Sequence, residues 1–342
     1  MDGGNMVGTT VYIAGGYGVV GSNIARHIRG IDQEIRIIVA GRNPAKGEVL
    51  AGQLGNAETA YLDLSQPDES IDLDGVDLIV AALQDPMDKL LHLAVEKGIA
   101  HIGITKLADE ITPLMVAVLK SPPKRPIVPL GHSQAGVMMV VAQKVAEQFS
   151  RIDSIELAGL FDENDPMGPM TLNDAEGFIN RALIRESGRW LWVDATKNTR
   201  SIRLSDGTVL EGGPMSLLDV PGLASATGAP NIRFDFIVGP SLGLKSNQQP
   251  SQDLYIDIEG ILKSGSKEKL RTVVSDPKGQ AHLTALGVLL SIERILGTDG
   301  LPAASGGIHL PETLLIVDKA IARLEQFGVG ISTYAYQEQT IQ

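Results

Sequence analysis

In the first 150 residues, short continuous apolar runs alternate with longer stretches whose apolar positions recur at helical spacing. Continuous runs mark strands buried on both faces, and the intervening spacing marks crossover helices, so the alternation predicts a parallel sheet. Thr10 to Ala14 is the first run and Ile35 to Ala40 the second, and TAYLDL around Tyr61 is a third that ends at Asp63. Residues 74–83, 100–105 and 127–131 are expected as strands four to six. Helices are expected between Pro44 and Leu54, from Pro86 to Gly98, in the stretch before Pro122–Pro123, and from about Ala135 to Phe149.

From about Arg151 the period shortens to two. SIELAGLFD, RWLWVDAT, TRSIRL, TVLEGG, IRFDFIVG, DLYIDIEGIL and KLRTVVSD alternate apolar with polar residues between turn signals, which predicts a mostly antiparallel sheet with one wet face. LNDAEGFINRAL reads as a helix, and the Gly-, Pro-, Ser- and Ala-rich stretch 214–230 as a mobile loop over a cleft. After Pro277 helical spacing returns in GQAHLTALGVLLSIERILG and LPETLLIVDKAIARLEQFG. The expected organisation is a first domain over residues 1–150, completed by helices in 278–342, and a second domain over 151–277.

The turn after the first strand narrows the picture. Gly16, Gly18 and Gly21 stand in G-x-G-x-x-G spacing between a strand and a helix, with a second strand at the distance of a βαβ unit. The first glycine permits the turn, the second lets backbone approach a pyrophosphate, and the third lets helix pack on strand; the anion then sits at the helix N-terminus. The fold class expected is therefore α/β, a Rossmann-type doubly wound parallel sheet, with a second α+β domain built on the antiparallel sheet. Gly16, Tyr17, Gly18, Val19, Val20 and Gly21 form the expected phosphate loop. An acidic residue usually ends the second strand and accepts hydrogen bonds from a ribose 2′-OH, but here the chain reads Gly41, Arg42, Asn43, Pro44, Ala45, Lys46. Arg42, with Asn43 and Lys46 beside it, suits a 2′-phosphate instead, so NADP is expected over NAD; the bland alternative makes both cations ordinary surface charges. Asp63 and Leu64 end the third strand, where Asp63 either faces an adenine edge or caps a turn. Ala82, Leu83 and Gln84 end the fourth, on the rim where such sheets bind ligands.

Composition removes several classes. The net charge of −12 and the absence of any basic block argue against nucleic acid, and zero cysteines exclude disulfides, thiolate catalysis and Cys-type zinc sites. No apolar run approaches the ~18 residues of a membrane span, and MDGGNMVGTT lacks a signal core, so a cytosolic protein without membrane contact is expected. The six histidines, at 27, 92, 101, 132, 282 and 309, have no paired ligand spacing, and no metal is expected.

Hydride transfer needs, besides the nicotinamide, one group that gives or takes a proton. His132, in the GHSQAG loop after the sixth strand, is the first candidate, because an imidazole does either near neutral pH. Lys106, after the fifth strand, is the second, as acid or carboxylate anchor, and His101 is the third; each has a structural alternative. Asp162, Glu163 and Asp165 in FDENDP hold an amine or a hard cation, or form a solvated acidic turn. Trp190 and Trp192, two apart on one strand, share a face as core or interface residues.

The chain resembles the saccharopine dehydrogenase family, in its reductase-like branch with an N-terminal NADP-binding domain. The resemblance rests on IAGGYGVVGSNIARHI, GRNPAKGEVLAGQLG, DGVDLIVAAL, LLHLAVEKGIAHIGIT, PLGHSQAG and GIHLPETLLIVDKAIARLEQFGVGI. It implies an NADP-linked oxidoreductase acting at the carbon–nitrogen centre of a small amino-acid or imine substrate, with the second domain supplying substrate contacts and a homodimer interface. Where the family commonly has Tyr-Val-Asp at the end of the fifth strand, this chain has His101, Ile102 and Gly103, without the aspartate. That departure motivates a second expectation, a non-catalytic NADP-binding redox sensor or regulatory protein.

Overall fold

The structure is a computed structural model and describes residues 8–104, 111–166, 168 and 181–336. The chain divides into two compact units. The first takes the described residues up to 104, Ile111–Leu130 and Ser291–Leu310, and the second takes Gly131–Leu290 and the chain from Pro311. The division thus falls earlier than residue 150, and the helices after Pro311 belong with the strand-rich unit.

In the first unit, strands β1 (Thr10–Ala14), β2 (Arg36–Gly41), β3 (Ala57–Tyr61), β4 (Leu78–Ala81), β5 (Ala100–Gly103), β6 (Pro126–Pro129) and β15 (Gly307–Ile308) form one sheet. Its order is β15-β6-β5-β4-β1-β2-β3, and every pairing is parallel. Strand order 3-2-1-4-5-6 is that of a doubly wound dinucleotide-binding fold, with its switch point between β1 and β4. Val11, Ile13, Val39, Val80 and Ile102 are fully buried, which is why these strands are continuous apolar runs. Edge strand β3, AETAY, alternates exposed and half-buried positions instead. The helix Val19–Ile31 buries Ile24, Ala25 and Ile28. Its last turn is tied down by Arg29, which donates to the carbonyls of Ile35 at 2.7 Å and Asp32 at 2.9 Å.

In the second unit, β7 (Phe149–Phe161), β8 (Arg181–Glu186), β9 (Arg189–Asp194), β10 (Arg200–Arg203), β11 (Val209–Pro214), β12 (Ile232–Val238), β13 (Gln252–Leu262), β14 (Lys267–Asp276) and β16 (Gly330–Ala335) form a nine-stranded sheet. Only β7 and β12 pair in parallel; the other pairings are antiparallel. The stretch expected as a loop over 214–230 contains instead a helix, Asp219–Thr227, closed by left-handed Gly228. Val220, Leu223 and Ala224 are buried, so this segment is held by its apolar face. The helix expected over LNDAEGFINRAL lies outside the described residues except for Arg181–Leu183, which begin β8. The last expected helix is two, Pro311–Leu314 and Val317–Gln326, separated where Ile316 is extended. Trp190 and Trp192 share a face as expected but are not core residues, being 46% and 44% exposed. Among the described residues no helix is long and apolar enough to cross a membrane.

Candidate functional site

The glycine loop is built by exclusion of side chains. A Cβ on Gly16 would lie 2.5 Å from Val39 Cγ1 and 2.8 Å from the Ile13 carbonyl oxygen, and one on Gly21 would run into the Gly15 carbonyl oxygen. Gly18 donates its N–H to that same carbonyl at 2.9 Å and precedes the helix Val19–Ile31, whose first turn has no side-chain cap and no acidic residue. The orphan N–H groups and dipole of that turn suit a phosphate. The spacing pointed to Gly16, Gly18 and Gly21 but missed Gly15. Its φ is +75°, and a Cβ there would lie 2.5 Å from the Ala82 carbonyl oxygen and 3.3 Å from Leu83 Cβ, so it joins the ends of β1 and β4. The doublet Gly15–Gly16 was the available signal.

Tyr17 also does more than its place in the motif suggests. Its hydroxyl accepts the Asn43 N–H at 2.8 Å, and its ring occupies the space that a side chain on Gly41 would need. The loop after β1 is thereby pinned to the loop after β2. Arg42, Asn43 and Lys46 are exposed there, with no carboxylate among them. Val19 is exposed and Val20 half-buried. Asp63 accepts from Ser65 N at 3.0 Å and Ser65 Oγ at 2.8 Å. Those bonds, aided by Arg42, hold its carboxyl below the usual range and cap the turn after β3. Leu64 and Leu83 pack against the core of this unit, Ala82 donates to the Ala14 carbonyl at 2.9 Å, and Gln84 is exposed.

The three proton-transfer candidates fare differently. His101 is buried within β5, between Ile79 of β4 and Ile127 of β6, rather than at a strand end. Lys106 lies outside the described residues. His132 belongs to the second unit and is the centre of a buried titratable group that the sequence did not foreshadow. Its side chain is 0% exposed, and Nε2 lies 3.2 Å from Glu312 Oε2. Asp219, also fully buried, accepts the Ser133 N–H on Oδ2 at 2.6 Å. Among the described residues, both His132 ring nitrogens, Glu312 Oε2 and Asp219 Oδ1 lack a partner with hydrogen-bond geometry. Burial pushes the Asp219 carboxyl up to about 6, with the charge of Glu312 adding and that of His132 opposing. An imidazole between two such carboxylates can hold or pass a proton.

Local backbone explains how His132 is placed. Gln134, Ala135 and Gly136 are all left-handed, at φ 48°, 53° and 98°, and the two residues with side chains cost roughly 1–2 kcal/mol each in that conformation. Tertiary contacts within the unit hold the turn. Thr284 donates its hydroxyl to Gln134 Oε1 at 2.5 Å, and the helix Gln280–Leu296 comes close because Gly287 has no side chain; a Cβ there would lie 2.7 Å from the Ala135 carbonyl oxygen. Gly222 makes similar room for Glu312, whose Oε1 would be 2.8 Å from a Cβ at that position. In the acidic loop Glu163 is exposed, while Asp162 and Asp165 are buried. Asp162 accepts from Asn164 N and Ser241 N, and Asp165 from Gln280 N, so the work of both carboxylates is structural. Among the described residues no group of three or more His, Asp or Glu could hold a metal ion.

No family model matches the chain, and no curated protein matches it in sequence. Solved structures do match in fold. The apo saccharopine dehydrogenase (L-Glu forming) from Saccharomyces cerevisiae is 11% identical, with 96% of this chain and 100% of that one covered and a TM-score of 0.71. The chain shares its fold with that enzyme. The homospermidine synthase from Legionella pneumophila, solved in complex with NAD, is 13% identical over 96% of this chain and 92% of that one, with a TM-score of 0.64. The amine dehydrogenase from Mycobacterium smegmatis is 14% identical over 92% and 97%, at 0.50. At these identities the similarity is one of fold, and the chemistry has to be argued from the residues.

Proposed function

We propose that the protein is an NADP-dependent oxidoreductase that transfers hydride at the carbon–nitrogen centre of a small amino-acid or imine substrate. The observation that carries this reading is the glycine loop, where Gly15, Gly16 and Gly21 leave no room for a side chain beside an uncapped helix N-terminus at the β1/β4 switch point. Saccharopine dehydrogenase and homospermidine synthase, which share the fold, support the reaction class. Bound at this loop, a nicotinamide cofactor supplies or accepts the hydride. Exposed Arg42 and Lys46, without a carboxylate at the end of β2, favour NADP over NAD. His132 is the proposed proton-transfer group, with Glu312 3.2 Å from its Nε2, and Lys106 and His101 are further candidates.

Fluorescence titration with NADPH and NADH tests the cofactor assignment, with NADPH expected to bind the more tightly; equal or absent binding of both overturns it. Oxidation of NADPH in the presence of keto acids and amines tests the reaction, and an activity unchanged in His132→Ala removes His132 from it. The complete burial of the His132 side chain favours a second reading, an NADP-binding sensor or regulator without turnover. In that case the cofactor titration succeeds and the substrate screen fails. A cytosolic homodimer belongs to either reading: among the described residues β9 pairs with β8 alone and carries exposed Trp190 and Trp192. Sedimentation showing monomer alone at micromolar concentration would remove it.

A further inference from the structure

On the nine-stranded sheet of the second unit there is a cavity of about 450 Å³ whose wall includes Arg200, Arg203, Lys269 and Arg271 against Glu156 and Asp257. The strand register explains the grouping: Asp257 stands opposite Glu156 on β7 and Arg271 on β14, so alternating residues on one face converge. Asp257 takes two bonds from Arg271, Nε at 2.7 Å and Nη2 at 2.6 Å. Glu156 is shared by Arg200 at 2.8 Å and Lys269 at 2.9 Å. Arg200 is held from below as well, through Nε to the fully buried Asp235 at 2.6 Å. The carboxylates in the wall are thus engaged by cations, and the cations are fixed in place by them.

Donors nevertheless exceed acceptors. A lysine ammonium has three N–H bonds, and Lys269 makes one described hydrogen bond, on Glu156, with the Tyr336 ring 5.0 Å from its Nζ. Arg203 makes one long contact, 3.4 Å from Nη1 to the Gly207 carbonyl. Tyr255 stands in the same wall, and its buried hydroxyl has no partner with hydrogen-bond geometry among the described residues. Burial and then the charge of Asp253 raise that phenol above its ordinary value, against the opposing effect of the neighbouring Ser205 hydroxyl, and the protonated phenol can donate. Arg203 and Lys269 thus present N–H groups to the cavity that the wall does not fill, beside the Tyr255 hydroxyl, and an anion there would gain charge-assisted hydrogen bonds in place of water.

We propose that this cavity binds a small multivalent organic anion, a di- or tricarboxylate or a phosphate ester, through Arg203, Lys269 and Tyr255. None of its residues belongs to the glycine loop or to the His132 group, so the site is tested without dinucleotide. Calorimetric titration of the full-length protein at low salt, without dinucleotide, with citrate in one arm and inorganic phosphate in the other, tests it and separates the two sources. At least one anion is expected to bind with 1:1 stoichiometry and a Kd of about 1 mM or tighter. Arg203→Ala is expected to weaken that binding about 10-fold or more, and Tyr255→Phe about 3- to 10-fold, as loss of a charge-assisted and of a neutral hydrogen bond imply. Saturable binding by neither anion up to about ten times that concentration overturns the proposal, as does unchanged affinity in Arg203→Ala. Arg203 is half-exposed, so its variant folds and decides the matter even if Tyr255→Phe does not.

Discussion

The glycine loop and the His132 group carry the two halves of the proposed chemistry and are built in opposite ways. In the loop, the residues that exclude one another are neighbours in sequence or lie on the adjoining strand: Gly15 meets Gly18 and Gly21, and Gly16 meets Val39. Steric exclusion writes itself into residue identity, because only glycine fits. The His132 group draws its members from a strand-to-helix turn, a helix in the middle of the chain and a short helix near its end. What joins them is burial and charge, which aspartate and glutamate satisfy at many positions and which therefore leave no local pattern.

If exclusion is the principle of the loop, a single methyl group should defeat it. In Gly21→Ala the new Cβ runs into the Gly15 carbonyl oxygen and lies 2.8 Å from Gly16 Cα. Backbone cannot give way as a flexible side chain can, so NADPH affinity is expected to fall about 100-fold or more, beyond ~2.7 kcal/mol. Fluorescence titration beside a thermal melt separates lost binding from lost folding. Wild-type affinity in a folded Gly21→Ala protein would show that the loop's contacts are looser than its glycines imply.

If electrostatics in a buried site is the principle of the His132 group, its signature is pH. Asp219 titrates at about 6 when folded and near 3.9 when unfolded. Between about pH 4 and 6 the folded chain holds a proton that the unfolded chain has released, so this residue's contribution to stability falls as pH rises through that window and is level above it. The cost is on the order of 3 kcal/mol. Asp219→Asn removes the titration while its side-chain oxygen can still accept the Ser133 N–H. Urea unfolding should therefore find the variant gaining on wild type from pH 4 to pH 6. A stability difference that is constant with pH would separate Asp219 from the charge group.

How far each region was legible comes from the same contrast. The parallel sheet and the glycine turn were readable because β1, β2 and β4 are buried on both faces and the turn admits only glycine. The antiparallel character of the second sheet was readable from period-two alternation. The helix Asp219–Thr227 was not, since a stretch with Pro221, Gly222 and Gly228 carries turn residues throughout; its helix is held by burial of Val220 and Leu223. Asp63 was legible only as a pair of roles, and its bonds to Ser65 show the turn contact that one of them requires. Tyr17 was placed in the motif, but its bond to Asn43 N depends on the approach of two loops that spacing does not encode.

Cofactor choice tests the local half of the contrast at smaller scale. Arg42 is exposed at the end of β2, and a bidentate pair with a 2′-phosphate is worth about 1.5–3 kcal/mol. Arg42→Ala is expected to weaken NADPH binding about 10- to 100-fold and to leave NADH nearly unchanged. Parallel titration of the two cofactors checks it, and equal weakening of both would mean that Arg42 supports the loop rather than reads the phosphate.

The smallest effect is expected in the β8–β9 hairpin, the most local of these contacts. Arg181 stands 4.0 Å over the Trp192 ring and Arg185 5.1 Å over that of Trp190, with both tryptophans close to half exposed. Exposed cation–π pairs contribute about 0.5–1 kcal/mol, so Arg181→Ala should lower stability by no more than that. Because the protein has 2 tryptophans, both in this hairpin, emission reports on it directly. Guanidinium groups do not titrate between pH 4 and 7, so this loss, unlike the Asp219 effect, should be the same at both ends of that range. A pH-dependent loss would mean that the hairpin is coupled to a buried carboxylate, and that contacts between neighbouring strand positions are no more local in their energetics than the group around His132.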